Sequence, residues 1–161
     1  MYAACAILLL GYLVTTEREV LRDRTRALAD CTATARTADL RQLLTDQARI
    51  SPFISGFFNY PGARGRDEIL DAVSAKISEF GPLESYEIGP AQAVVDGANL
   101  ARTQVRVWAR PRKDMQAIAA STGLWIRINW RRETESAPWL ASAITIMQID
   151  GAGVNKEMGR D

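Results

Sequence analysis

The chain has 161 residues, 47% hydrophobic and 24% charged, with a net charge of +1, which describes one domain of ordinary size with a hydrophobic core and excludes a disordered or strongly polycationic chain. It has no histidine and two cysteines with no CxxC spacing. That removes the commonest general base, every Ser-His or Cys-His nucleophile and the usual zinc ligand sets, so no metal, cofactor or catalytic group is expected.

The first fourteen residues, Met1 to Val14, are uncharged and mostly apolar, and charge begins at Glu17, Arg18 and Glu19. The run is apolar on every side, without the polar stripe of a surface helix, and no A-x-A cleavage signal closes it. The expectation is an uncleaved, single-pass membrane anchor over residues 1–16, with the lipid bilayer as its partner. Fourteen helical residues span about 21 Å, against a hydrocarbon core of about 30 Å. The shortness implies either residues upstream of Met1 or neighbouring transmembrane helices. Arg18, Arg22, Arg24 and Arg26 follow the run and no basic residue precedes it, which places the soluble domain on the cytoplasmic side.

"EREVLRDRTRALADCTATAR" puts Leu21, Leu28, Cys31 and Ala35 on one helical stripe, and this helix, over 17–36, is expected to act as a stalk. Cys5 and Cys31 are 26 positions apart on a nearly continuous helical run, hence about 39 Å apart and unable to pair. "TADLRQLLTDQARI" predicts a second helix that buries Leu40, Leu43 and Leu44. "SPFISGFFNYPGARG" reads as a short strand or irregular lid that ends in a turn at Pro61 and Gly62. "GRDEILDAVSAKISEF" predicts a third helix, with Ile69, Leu70, Val73, Ile77 and Phe80 on one face and Asp67 and Glu68 in its first turn.

After Gly81 and Pro82 the apolar period changes to two. Asp96-Gly97 marks a hairpin. Beyond it, Ala101, Thr103, Val105, Val107 and Ala109 alternate with Arg102, Gln104, Arg106, Trp108 and Arg110. "GLWIRINWRRE" repeats the scheme, with Leu124, Ile126, Ile128 and Trp130 opposed to Trp125, Arg127, Asn129 and Arg131. "PWLASAITIMQIDG" is apolar on both faces and is expected to be a central strand, with a frayed tail over 151–161.

Between Ala101 and Arg132 there are eight basic residues and one acid, Asp114. The resulting strand face, with Arg106, Trp108, Arg110, Trp125, Arg127 and Arg131, is the candidate interaction surface. Arg and Trp are the types enriched at protein-protein hot spots. The same residues suit a single-stranded nucleic-acid platform, but the near-zero net charge and the lack of a nucleic-acid motif argue against one.

Helices first and strands last make an α+β domain, in which N-terminal helices pack in a curved, mostly antiparallel sheet. The order of "TADLRQLLTDQARI", "GRDEILDAVSAKISEF" and "VVDGANLARTQVRVWAR" resembles the nuclear-transport-factor-2-like superfamily of cone-shaped barrels over residues 17–150. The resemblance implies a concave pocket between helices and sheet and a convex face often used for dimerisation. It also implies that enzymes of the group place an Asp base, a His-Asp pair or a Tyr donor inside the cone. Asp46, Tyr60 and Tyr86 are the pocket candidates here, although a helix-terminal acid and two amphipathic packing rings account for them more simply. The expected function is a membrane-anchored, non-catalytic accessory or assembly subunit, with a membrane protein or a second copy as partner. The alternative is a small-molecule binder or an isomerase-, cyclase- or dehydratase-type enzyme that uses the cone interior.

Overall fold

A computed structural model describes residues 16–55, 58–80, 83, 85–110 and 122–150. Helix α1 spans Glu17–Ala33 and opens with a capping box. The Thr16 hydroxyl accepts from the Glu19 N–H, while the Glu19 carboxylate accepts from the Thr16 N–H at 2.7 Å. Thr16 itself is extended, at φ −71° and ψ 153°, so α1 begins here and does not continue an upstream helix through this residue. The helix buries Leu21, Thr25, Leu28, Ala29 and Cys31. It is a core element over 17–33, where a stalk to 36 was expected.

The expected single-pass membrane location, with the domain held on the cytoplasmic side, is corrected by the same region. No helix among the described residues is long and apolar enough to cross a membrane. Helix α1 is amphipathic and docks its apolar stripe on protein. The run from Met1 to Val14, Cys5, Asp114 and the tail over 151–161 lie outside the described residues. Cys31 is buried and free.

Helix α1 stops in a left-handed turn. Ala35 has φ 53°, and the Arg36 N–H reaches back to the Cys31 carbonyl at 2.9 Å, the six-to-one bond that satisfies a terminal carbonyl. Helix α2 is Thr37–Leu43. The helix expected through Ile50 gives way there to strand β1, Leu44–Ile50. Pairing overrides propensity at this point, because β1 has partners on both edges. It runs parallel to β9 (Leu140–Asp150), with Leu44 opposite Ala141 and Ile50 opposite Ile144. It runs antiparallel to β4 (Ala63–Arg64), with Arg49 opposite Arg64.

The aromatic segment forms a small hairpin, β2 (Phe53–Ser55) with β3 (Phe58–Tyr60). Gly62 then turns the chain at φ 88°, where a Cβ would lie 2.7 Å from the Ile50 carbonyl oxygen. Helix α3, Arg66–Phe80, buries Ile69 and Leu70. Strands β5 (Ser85–Ile88), β6 (Gln92–Gly97), β7 (Leu100–Arg110) and β8 (Thr122–Arg131) complete the chain order before β9. The β6–β7 turn is Ala98-Asn99, two residues beyond the expected Asp96-Gly97, with a register shift between Val95 and Gly97 and β6 extending through Gly97.

The seven-stranded sheet has the order β4-β1-β9-β8-β7-β5, with β6 also paired to β7. It is a curved mixed sheet wrapped on one side by the three described helices. The expected alternation is present in β7 and β8. Ala101, Thr103, Val105, Val107, Ile128 and Trp130 are buried against the helices, and the arginines occupy the reverse face.

Candidate functional site

Among the described residues, the sheet face turned toward the helices is packed by the protein's own side chains. Trp130 and Leu21 are fully buried, as nearly are Trp139, Ile128, Leu40 and Leu44. One polar chain crosses this core. Trp130 Nε1 donates to Thr103 Oγ1 at 2.8 Å, the Thr103 and Thr25 hydroxyls bond at 2.8 Å, and the Thr25 hydroxyl reaches the Leu21 carbonyl at 2.7 Å. Each hydroxyl has a single proton, so the indole donates to Thr103, Thr103 to Thr25, and Thr25 to the backbone. The chain is thereby saturated without any outside group.

The three pocket candidates lie on three different strands. Asp46, on β1, has a side chain that is 80% exposed and pairs with Arg66 at 2.6 Å. Tyr60, on β3, is half-buried, and burial pushes its hydroxyl pKa up. Tyr86, on β5, donates to the Asp30 carboxylate, and that hydrogen bond raises the phenol pKa. The other oxygen of Asp30 pairs with Arg36, which also reaches Asp39 at 3.4 Å. Strands β1 and β5 are separated by β9, β8 and β7, so Asp46 and Tyr86 do not share a site. The Tyr86–Asp30–Arg36 group joins residues 56 positions apart, and no local pattern marks Asp30. A groove of about 490 Å³ runs beside it between α1 and α2, lined by Arg24, Cys31, Arg36 and Asp39 among others. Burial pushes the Cys31 thiol up, away from the reactive thiolate. Among the described residues no group of three His, Cys, Asp or Glu side chains is placed to hold a metal ion.

The interaction candidates, in contrast, come together. Register pairs Arg106 with Trp125, Gln104 with Arg127, and Trp108 with Gly123, so the outward residues of β7 and β8 form one ladder. The Arg106 guanidinium lies 4.0 Å from the Trp108 ring centre and 5.4 Å from that of Trp125, within cation–π range of both. Asp150 on β9 pairs with it at 2.6 Å. A Cβ on Gly123 would lie 2.8 Å from the Trp108 ring, so the missing side chain is what lets the indole lie across β8. Arg110 and Arg131, exposed at opposite ends of the ladder, have no acid within pairing distance among the described residues. The basic face also extends further than the sequence suggested. One lateral row runs Arg102, Asn129, Ala143, Arg49, Arg64 across five strands. Arg49 and Arg64 join it because β1 and β4 are strands.

No family model and no curated protein matches the sequence. Solved structures do. A ketosteroid isomerase-like protein from Erwinia carotovora superposes with a TM-score of 0.63 at 14% identity, covering 84% of this chain and 99% of its own. An NTF2-like protein with a cystatin-like fold from Novosphingobium aromaticivorans gives 0.58 at 19% identity, covering 94% and 90%. The fold is NTF2-like. A scytalone dehydratase-like protein from the same organism gives 0.57 at 14% identity, covering 88% and 93%. At these identities the NTF2-like cone is what is shared, and the chemistry attached to it varies among the neighbours.

Proposed function

We propose that this NTF2-like protein is a non-catalytic docking module that binds a protein partner through the outer face of its sheet. The observation that carries the reading is the contrast between the two faces. The cone interior is packed with Trp130, Leu21 and Ile128, and its polar atoms satisfy one another. The outer face presents Trp108 and Trp125 held by Arg106, with Arg110, Arg127 and Arg131 around them. Aromatic and arginine anchors fixed by neighbours lose little side-chain entropy on binding, which is the character of an interface hot spot.

The test is photo-cross-linking in cells from a benzophenone side chain placed at Arg131 or Arg110, compared with one at Glu79 on α3. A discrete protein adduct from the outer-face positions, weakened by Trp125→Ala, is the expected result. No adduct, or one formed equally from α3, overturns the reading. A second reading, small-molecule binding or isomerase- or dehydratase-type chemistry, draws on the protonated Tyr86 hydroxyl on Asp30 and on the names of two neighbours. Thermal stabilisation by a hydrophobic carbonyl compound, lost in Tyr86→Phe, would carry that reading in place of the first.

A further inference from the structure

We infer that the groove between β6, β7 and β8 is a carboxylate-anchoring pocket, and that the docked partner therefore presents an acidic segment; the inference rests on the docking reading. The groove has a volume of about 350 Å³ and is lined by Gln92, Val94, Arg102, Gln104 and Arg127. Register brings these five together, with Gln92 opposite Gln104, Val94 opposite Arg102, and Gln104 opposite Arg127.

The lining is rich in donors. With its oxygen turned toward Arg127, the Gln104 amide accepts from Nη2 at 3.1 Å and from Nε at 3.2 Å. That fixes the guanidinium and leaves three of its five N–H groups, together with the Gln104 NH2, for a guest. On the other side Arg102 is half-exposed and steadied by Asp96 through Nη2 at 3.4 Å. No acid lines the groove itself. Two guanidinium groups flanking a concavity form the arrangement that takes a carboxylate by paired N–H bonds. Val94, 43% exposed on the floor's edge, offers apolar contact to the methylenes of a glutamate.

Charge selects among occupants. A two-fold pair of identical chains packed through this face would bring two arginine-rich surfaces together, with Asp96 and Asp150 already engaged by Arg102 and Arg106, so a second copy gains less from this face than an acidic segment does. Nucleic acid would need free aromatic faces for base stacking, whereas the Arg106 guanidinium already lies over Trp108 and reaches Trp125. An acidic polypeptide meets the exposed guanidinium groups and leaves that stack in place.

The experiment is fluorescence anisotropy of the full chain with a short fluorescein-labelled peptide of alternating Glu and Ala, alongside the matched Gln–Ala peptide and an oligothymidylate. The Glu peptide is expected to bind at low salt and weaken as salt rises. Arg127→Gln and Arg102→Gln should each reduce the affinity about tenfold, the scale of a lost charge-assisted hydrogen bond, while Arg18→Gln on α1 leaves it unchanged. Equal binding of the Gln peptide, indifference to both groove variants, or tighter binding of the oligothymidylate overturns the pocket. Outer-face cross-links that persist when the Glu peptide fails to bind would leave the docking reading standing and remove the acidic partner alone. Loss of both signals removes both.

Discussion

At the scale of single residues, the centre of the cone depends on one hydroxyl. Thr103 both accepts from the Trp130 indole and donates to Thr25. The two flanking groups are fully buried, so neither can turn to water. Thr103→Val keeps the shape and removes the acceptor, which orphans the indole N–H at a cost of about 1–3 kcal/mol. Urea unfolding should show a lower midpoint at unchanged slope. Thr103→Ser retains the hydroxyl and should recover most of the loss. If Val and Ser behave alike, packing and not the hydrogen bond sets the cost. The sequence placed Thr103 on the inward stripe of its strand by alternation. Its partners were not legible, because Thr25 is 78 positions away on a helix and a threonine on an apolar stripe carries no sign of what it bonds.

At the scale of elements, what was legible followed the strength of the periodic signal. The third helix and the long strands over 100–110 and 122–131 repeat their pattern for two or more turns or pleats, and they form where the pattern puts them. Leu40, Leu43 and Leu44 fit a helical stripe that predicts helix beyond Leu43, but only Leu40 of the three lies buried in α2, while Leu44 opens β1. Its pairing with β9, almost a hundred residues later, has no local signature. The entry to α1 shows how an end can be fixed by distant partners. The Glu17 carboxylate accepts from Trp139 Nε1 at 2.6 Å and from Arg132 Nη1 at 2.8 Å, and Arg132 lies over the Trp139 ring at 4.3 Å. The Trp139 bond first, then Arg132, hold the Glu17 pKa below its usual value. A carboxyl whose folded pKa is depressed contributes stability above the ordinary glutamate value of about 4.3 and loses it as pH falls toward the folded value. Glu17→Gln should therefore be less stable at neutral pH, and its thermal midpoint should fall less steeply than that of the parent on acidification. Glu19, also held low, first by the Thr16 backbone N–H and then by its hydroxyl, leaves a residual slope in the variant. Parallel curves would show that Glu17 does not couple α1 to the β8–β9 connection.

At the scale of the whole molecule, a net charge of +1 conceals a division that only the folded chain reveals. The sequence located the arginines of β7 and β8 on one face, whereas Arg49 and Arg64 join them by sheet topology. Acids are more frequent on the helical side, where Asp67, Glu68, Asp71 and Glu79 lie exposed along α3. Screening confines each patch to its own surroundings, because the Debye length is about 10 Å at 0.1 M salt. An anionic surface or partner therefore meets the sheet face as a polycation, whatever the total charge. Two double variants separate the patch from the sum. Arg110→Glu with Arg131→Glu and Arg18→Glu with Arg22→Glu change the net charge equally, and all four positions are exposed. The sheet-face pair is expected to abolish retention on a sulfonate exchanger at neutral pH, while the α1 pair only shortens it. Equal loss would mean that total charge governs encounter, and the sheet face would then have no electrostatic claim as the docking surface. Unequal loss would mean that the fold, by gathering arginines from four strands onto one face, creates an attraction that the composition does not possess.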